Sequence, residues 1–197
     1  YEGGHLLAYC IPKRNSEQLT VNWLFYEAIK SNEAFYLTDK HGKQSMSITH
    51  QNMSDDQINH IHQLAQKLLP KKAAQLIQKT KSPFMQGIVD LEIDQYYKDR
   101  IALIGDASII LRPHTGAGST KAITDASELA HVLKASNDIN EALYNWNEKQ
   151  ITSGKNLFGL GRALGKVMVT DTPDWKALDQ SSFFKLWEET TSPFQWY

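Results

Sequence analysis

The stretch RIALIGDASIILRPHTGAGSTKAITDA, Arg100 to Ala126, constrains this chain more than any other. Its apolar run from Ile101 to Ile104 ends in Gly105-Asp106, passes a loop holding Pro113, Gly116 and Gly118, and enters an alanine-rich helical pattern. A continuous apolar run of this kind predicts a strand buried on both faces. Asp106 is therefore expected at the carboxyl end of a strand, where α/β sheets collect their ligands. Gly116 and Gly118 would leave the first N–H groups of the following helix open to a flat or anionic group, with no Cβ in the way. Ala122 and Ala126, four residues apart, share one helix face and permit close packing. The segment offers one acceptor, a set of backbone donors, and a rigid Pro113 between them.

Several chemistries are excluded by residue order and composition. A phosphate-binding P-loop needs Gly-Lys-Ser/Thr, but Lys121 follows Thr120 and precedes Ala122, so the magnesium hydroxyl is out of place. Ser108, His114 and Asp106 lack the Gly-x-Ser-x-Gly elbow of a serine hydrolase. With 21 basic and 22 acidic residues and no polybasic block, the chain carries no footprint for nucleic acid or an anionic membrane. Cys10 is the only cysteine, which precludes an internal disulfide or a thiolate metal cluster and suits a reducing compartment, with the cytoplasm as the default. No apolar run reaches the roughly 20 residues needed to span a bilayer, and no signal peptide is evident. The start at Tyr1, directly before a strand-like segment, reads as a fragment or a trimmed chain.

Elsewhere, GHLLAYCI (4–11) and QLTVNWLFYEAI (18–29) predict an antiparallel pair across a breaker segment. Leu19, Val21, Trp23 and Phe25 fall on one face, and Thr20, Asn22, Leu24 and Tyr26 on the other. AFYLTDKHGK (34–43) reads as a further strand and turn. Ser54 with Gln57 makes a capping box for an amphipathic helix to Leu69, and Pro70 opens a shorter one. PFMQGIVDLEI (83–93) has β character, and helices are expected over about 116–135 and 139–167, followed by an aromatic tail that packs back on the body. His60 and His62, two apart, lie on different helix faces, unsuited to a shared metal and expected in solvent. Cys10 is expected to be a small buried apolar residue. No metal site is assigned.

GDAS, RPHTGAG and KAITDASELAHVL together resemble the second FAD-binding segment of the class A aromatic-ring flavin monooxygenases, typified by para-hydroxybenzoate hydroxylase. The RPHTGAG wording is closest to the dihydroxypyridine hydroxylase branch. LLAYCIP with VNWLFYE, and NEALYNWNEKQITSGKNLFGLGRALG, are similar to that branch's substrate-domain strands and long penultimate helix, so the resemblance runs over about residues 4–166. It implies an α/β (α+β) fold: an antiparallel substrate-side sheet with helices, plus the carboxyl-terminal part of an FAD-binding Rossmann-like domain. The implied boundaries are 1–82, 83–170 and a tail at 171–197.

By this resemblance, Asp106 would bind the ribityl chain of FAD, the loop from Pro113 to Gly118, with Thr115, Gly116 and Ala117, would lie along its ring, and Gly105 and Arg112 would be further cofactor-binding residues. A helix N-terminus there would stabilise negative charge on the reduced flavin by roughly 0.3–1 kcal/mol. The activity implied is hydroxylation of an electron-rich aromatic or heteroaromatic ring with NADH or NADPH and oxygen, needing no side-chain nucleophile. Pro113 and His114 are the loop residues nearest the chemistry, and Tyr9, Trp23, Tyr26 and His114 are candidates to line a planar substrate. Arg112 could equally pair with a phosphate, a carboxylate or Asp106.

The match departs in places. Ser108 stands where a second alanine is expected, and neither the first Gly-x-Gly-x-x-Gly element nor the middle Asp-Gly motif is found. GLGRALG (159–165) has its third glycine one residue late, inside a helix with no strand before it. The chain by itself is thus expected to hold FAD weakly or not at all, with an amino-terminal FAD-binding half or a second copy as partner. The alternative is a truncated, non-catalytic relative that binds a planar ligand or another protein.

Overall fold

The computed structural model describes residues 1–29 and 33–194. The last three residues of the aromatic tail lie outside the described residues. The chain divides into two compact units, Tyr1–Ile88 and Val89–Tyr197. Helices and short antiparallel strand pairs make it a mixed α/β protein.

In the first unit, β1 (Leu6–Pro12) pairs antiparallel with β2 (Leu19–Phe25), with Ala8 opposite Trp23 and Tyr9 opposite Asn22. The period-2 alternation sends Trp23 and Phe25 to the core face, where they pack with Leu6 around Ala65, Ala74 and Ile77. Those three belong to α2 (Asp55–Leu68) and α3 (Lys71–Gln78). The expected capping box is formed: the Ser54 hydroxyl accepts from the Gln57 N–H at 3.2 Å, and the Gln57 side chain accepts from the Ser54 N–H at 3.0 Å. The far end of the hairpin stays outside the core, so Leu19, Val21 and Cys10 are exposed, and Cys10 is not the buried residue its type suggested.

Residues 34–43 do not form the expected strand. They give α1 (Glu33–Leu37) and an isolated bridge from Thr38 to Gln44. The cause is non-local: the Gln57 amide donates to the C=O groups of Phe35 and Thr38 and so holds the end of that helical turn. The unit closes with β3 (Ser47–Ile48) against β4 (Met85–Gln86).

The second unit contains β5 (Leu91–Glu92), β6 (Tyr97–Lys98), β7 (Ile101–Ala102) and β8 (Ile109–Ile110), paired β5 with β8 and β6 with β7. The strand expected to be buried on both faces is therefore a two-residue arm of a tight hairpin, turning at Asp99 with φ 53°. Ile101 is 69% exposed and Ile104 38%. Helix α4 (Gly118–Ala135) packs on α5 (Ile139–Gly165), whose Asp138 caps it by accepting from the Asn140 N–H at 2.8 Å. Tyr96, Ile109 and Trp146 form the centre of this core. A single wide turn, Lys166–Thr170, follows α5, and α6 (Gln180–Thr191) then packs against α5. Phe183, Phe184 and Trp187 of α6 remain exposed. No helix of the described residues is long and apolar enough to cross a membrane.

Candidate functional site

The site is built on the connection from β7 to α4. After β7, the Leu103 N–H donates to the Tyr96 C=O at 2.7 Å, and the chain then turns at Gly105 with φ +55°. A side chain is excluded there, since a Cβ on Gly105 would lie 2.9 Å from the Cβ of Ala122. Three groups fix the turn. The Gly105 N–H donates to Asp125 Oδ2 at 2.9 Å, the Ser108 hydroxyl donates to the Gly105 C=O at 2.8 Å, and the Ser108 N–H donates to the same carbonyl at 2.9 Å. Ser108 is thus a buried structural donor rather than a nucleophile.

Asp106, next in sequence, is exposed, with Oδ1 3.8 Å from where a Cβ on Gly118 would stand. Its carboxylate therefore sits over the start of α4. That start is bare: the residue before the helix, Ala117, supplies no side-chain cap, and Gly118 is the first helical residue. Carboxylate and helix positive end are brought together, as the sequence anticipated.

The loop between them is shaped from both ends. Pro113 to Thr115 form one 3₁₀ turn, closed by the Gly116 N–H donating to the Pro113 C=O at 3.1 Å with Gly116 at φ 64°. The Thr115 hydroxyl accepts from the Ala117 N–H at 3.1 Å. At the other end, Arg112 grips Asp90 with two nitrogens: Nε at 3.0 Å from each oxygen and Nη2 at 2.9 Å from Oδ2. Asp90, not Asp106, is its carboxylate partner. Arg112 lies along α5 in a channel opened by Gly161 and Gly165. A Cβ on Gly165 would fall 2.9 Å from Arg112 Nη1 and 3.0 Å from the His114 ring. Gly161 and Gly165 of GLGRALG are thus seats for this loop, and His114 is set against α5.

Beneath the turn lies a buried group that the sequence did not single out. Lys121 and Asp125, 3% and 0% exposed, form an ion pair within α4, and the Trp146 indole donates to the Asp125 C=O at 3.1 Å. The Lys121 ammonium stands 5.2 Å from the centre of the Tyr96 ring. Burial, and then the charges of Asp125 and Glu92, push the Tyr96 hydroxyl up to about 12. The i,i+4 spacing of Lys121 and Asp125 was visible as a helix pair, but nothing local signals that it faces inward.

In the first unit, the aromatic candidates do not share a face. Tyr9 accepts from the Asn22 amide at 2.7 Å on the outer face of the hairpin, and Tyr26 stacks on His5 with ring centres 4.3 Å apart. Trp23 points to the opposite face, its indole donating to the Thr80 hydroxyl at 2.8 Å. Burial raises the Tyr26 hydroxyl above its ordinary value, with Tyr9 adding to the shift. His60 is not free in solvent: its Nε2 lies 2.9 Å from the Glu27 carboxylate, and the Tyr36 hydroxyl donates to Glu27 at 3.0 Å. Burial and that bond push Tyr36 up to about 12.

Comparison with known proteins agrees with this architecture. A family described as FAD binding domain-like matches residues 1–90. The 2,6-dihydroxypyridine 3-monooxygenase of Paenarthrobacter nicotinovorans is 31% identical over 157 residues, covering 78% of this chain and 39% of the relative. The solved 2,6-dihydroxypyridine-3-hydroxylase from Arthrobacter nicotinovorans superposes with a TM-score of 0.78 at 27% identity, over 85% of this chain and 43% of that one. A salicylate hydroxylase substrate complex shares the fold, with a TM-score of 0.66 at 21% identity over 99% of this chain and 46% of that one. The chain thus spans less than half the length of these relatives. The chain is thus homologous to 2,6-dihydroxypyridine 3-monooxygenase over most of its own length, and it shares its fold with the solved FAD monooxygenase relatives.

Proposed function

We propose that the chain carries the flavin-facing part of an FAD-dependent monooxygenase that hydroxylates a small, planar, electron-rich aromatic or heteroaromatic ring, with NADH or NADPH as reductant. The observation that carries this reading is the Asp106 carboxylate over the uncapped, glycine-lined start of α4. The residues present fit such a group. A carboxylate accepts from the hydroxyls of a ribityl chain, and open backbone N–H groups at a helix positive end suit the electron-rich edge of a flavin ring. When bound, the flavin supplies the redox chemistry and activates oxygen for transfer to the ring.

The protein's own part is placement. Asp106 orients the sugar-like chain. Gly118 opens α4 without a side-chain cap, while Gly116 and Ala117, whose N–H groups are held by the Pro113 carbonyl and the Thr115 hydroxyl, shape the loop together with Pro113 and Thr115. Arg112 ties that loop to Asp90, next to β5, and packs along α5 at Gly161 and Gly165. Within the second unit, His114 is proposed as the side chain nearest a substrate; the candidates of the first unit are Tyr9, Trp23 and Tyr26. The names of the relatives, acting on a dihydroxypyridine and on salicylate, support a small hydroxylated ring.

FAD titration of the purified chain by flavin fluorescence, beside Asp106→Ala, tests this. Saturable quenching is expected, weakened about tenfold in the variant, as for loss of a hydrogen-bonding charged group. Equal FAD affinity of the parent and the variant overturns the reading. It would favour a second one, a protein-association module, for which the exposed Ile101, Ile104 and Ile123 speak.

A further inference from the structure

Asp125 has no exposure and Lys121 almost none. Neither ion could be buried by itself, and a well-packed apolar pair would fill the same space with no desolvation cost. Stability is therefore a weak reason for the pair. What distinguishes it is the division of the Asp125 carboxylate. Oδ1 takes the Lys121 ammonium, while Oδ2 accepts the Gly105 N–H, 20 residues away in sequence, at 2.9 Å. The carbonyl of Gly105 is held from its other side by Ser108 at 2.8 Å. The backbone is thus clamped on both sides immediately before Asp106.

We propose that Asp125 is a positioning residue for the ligand site: its Oδ2 sets the Gly105 turn that holds the Asp106 carboxylate over the start of α4, and Lys121 is the counter-charge that makes this possible at depth. The proposal rests on reading the site as flavin-binding. Asp125 touches no ligand and acts through Gly105. The clamp also explains why Gly105 stays in the left-handed region close against Ala122.

Two double variants of the full chain separate positioning from bulk stability. Lys121→Met with Asp125→Asn removes both charges and keeps an oxygen for the Gly105 N–H. Lys121→Met with Asp125→Leu removes the charges and the acceptor. Each is titrated with FAD, and the exchange of the Gly105 amide hydrogen is followed by NMR. The Asn variant is expected to bind FAD within about threefold of the parent, and the Leu variant about tenfold or more weaker, the range for an orphaned buried donor. The Gly105 amide should exchange at least about tenfold faster in the Leu variant, while the amides of α2 keep their parent rates. Equal FAD affinity and equal Gly105 exchange in the two variants would overturn the proposal. Should the chain alone bind too little FAD to titrate, the exchange comparison by itself decides the role of Asp125: faster in Leu than in Asn upholds it, equal rates refute it.

Discussion

Tyr96 has a fully buried ring, and its hydroxyl has no hydrogen-bond partner among the described residues. The neutral phenol is the form the fold accepts, so its contribution is fully present below the ordinary value of 10.0 and is lost as pH rises towards about 12. Tyr96→Phe should therefore be as stable as the parent at pH 7, or up to about 1 kcal/mol more so, because an unsatisfied buried hydroxyl is removed. At pH 12 its advantage should grow to roughly 2 kcal/mol, read from denaturation midpoints across that window. An unchanged difference between pH 7 and 12 would show that the phenol is not held neutral. Residues of this kind mark the limit of what could be read from sequence. Asp106, Gly116 and Gly118 were legible because their local order alone places a carboxylate before a bare helix start. The partners of Arg112 and Gly105 were not, since Asp90 and Asp125 stand 22 and 20 residues away and only folding brings them in.

Among elements, α5 carries glycines where other groups must approach. A Cβ on Gly154 would collide with the Tyr96 hydroxyl, and one on Gly165 with Arg112. Gly154→Ala should thus destabilise by about 2 kcal/mol through overpacking, although alanine is by itself the better helix former by about 1 kcal/mol. In a Tyr96→Phe background the cost should fall by about 1 kcal/mol or more, a coupling that a double-mutant cycle measures directly. Additive effects would mean that the two residues do not meet. Helices α2, α4 and α5 were readable, α2 through its Ser54–Gln57 box and α4 and α5 through length, whereas α6 was read only as an aromatic tail. The strands were less so. Residues 34–37 have aromatic, strand-like composition, yet Gln57 ends them as a helical turn, a tertiary contact outweighing propensity. The Ile101 arm looked buried because apolar runs usually are. A hairpin turning at Asp99 gives it one antiparallel neighbour among the described residues and leaves it exposed.

For the molecule as a whole, each compact unit has its own apolar centre, Ala65, Ala74 and Ile77 in one and Tyr96, Ile109 and Trp146 in the other. Ile77→Ala and Leu160→Ala, both at fully buried positions, should each cost about 2–5 kcal/mol. Hydrogen exchange followed by segment is expected to lose protection first in 1–88 for Ile77→Ala and in 89–194 for Leu160→Ala. Uniform loss in both segments would instead mean one cooperative body. The mixed α/β class was legible from alternating strand and helix patterns, whereas the pairing of the short strands was not, because two-residue arms carry no period. The wide turn at Lys166–Thr170 has a bearing on chain length. Such a turn holds about one residue more than an α-helix needs for the same rise, so the polypeptide carries a spare amino acid just past the seats of Arg112 and His114. Deletion of one residue there is the length change the chain should absorb by winding straight, leaving the buried face of α5 in register.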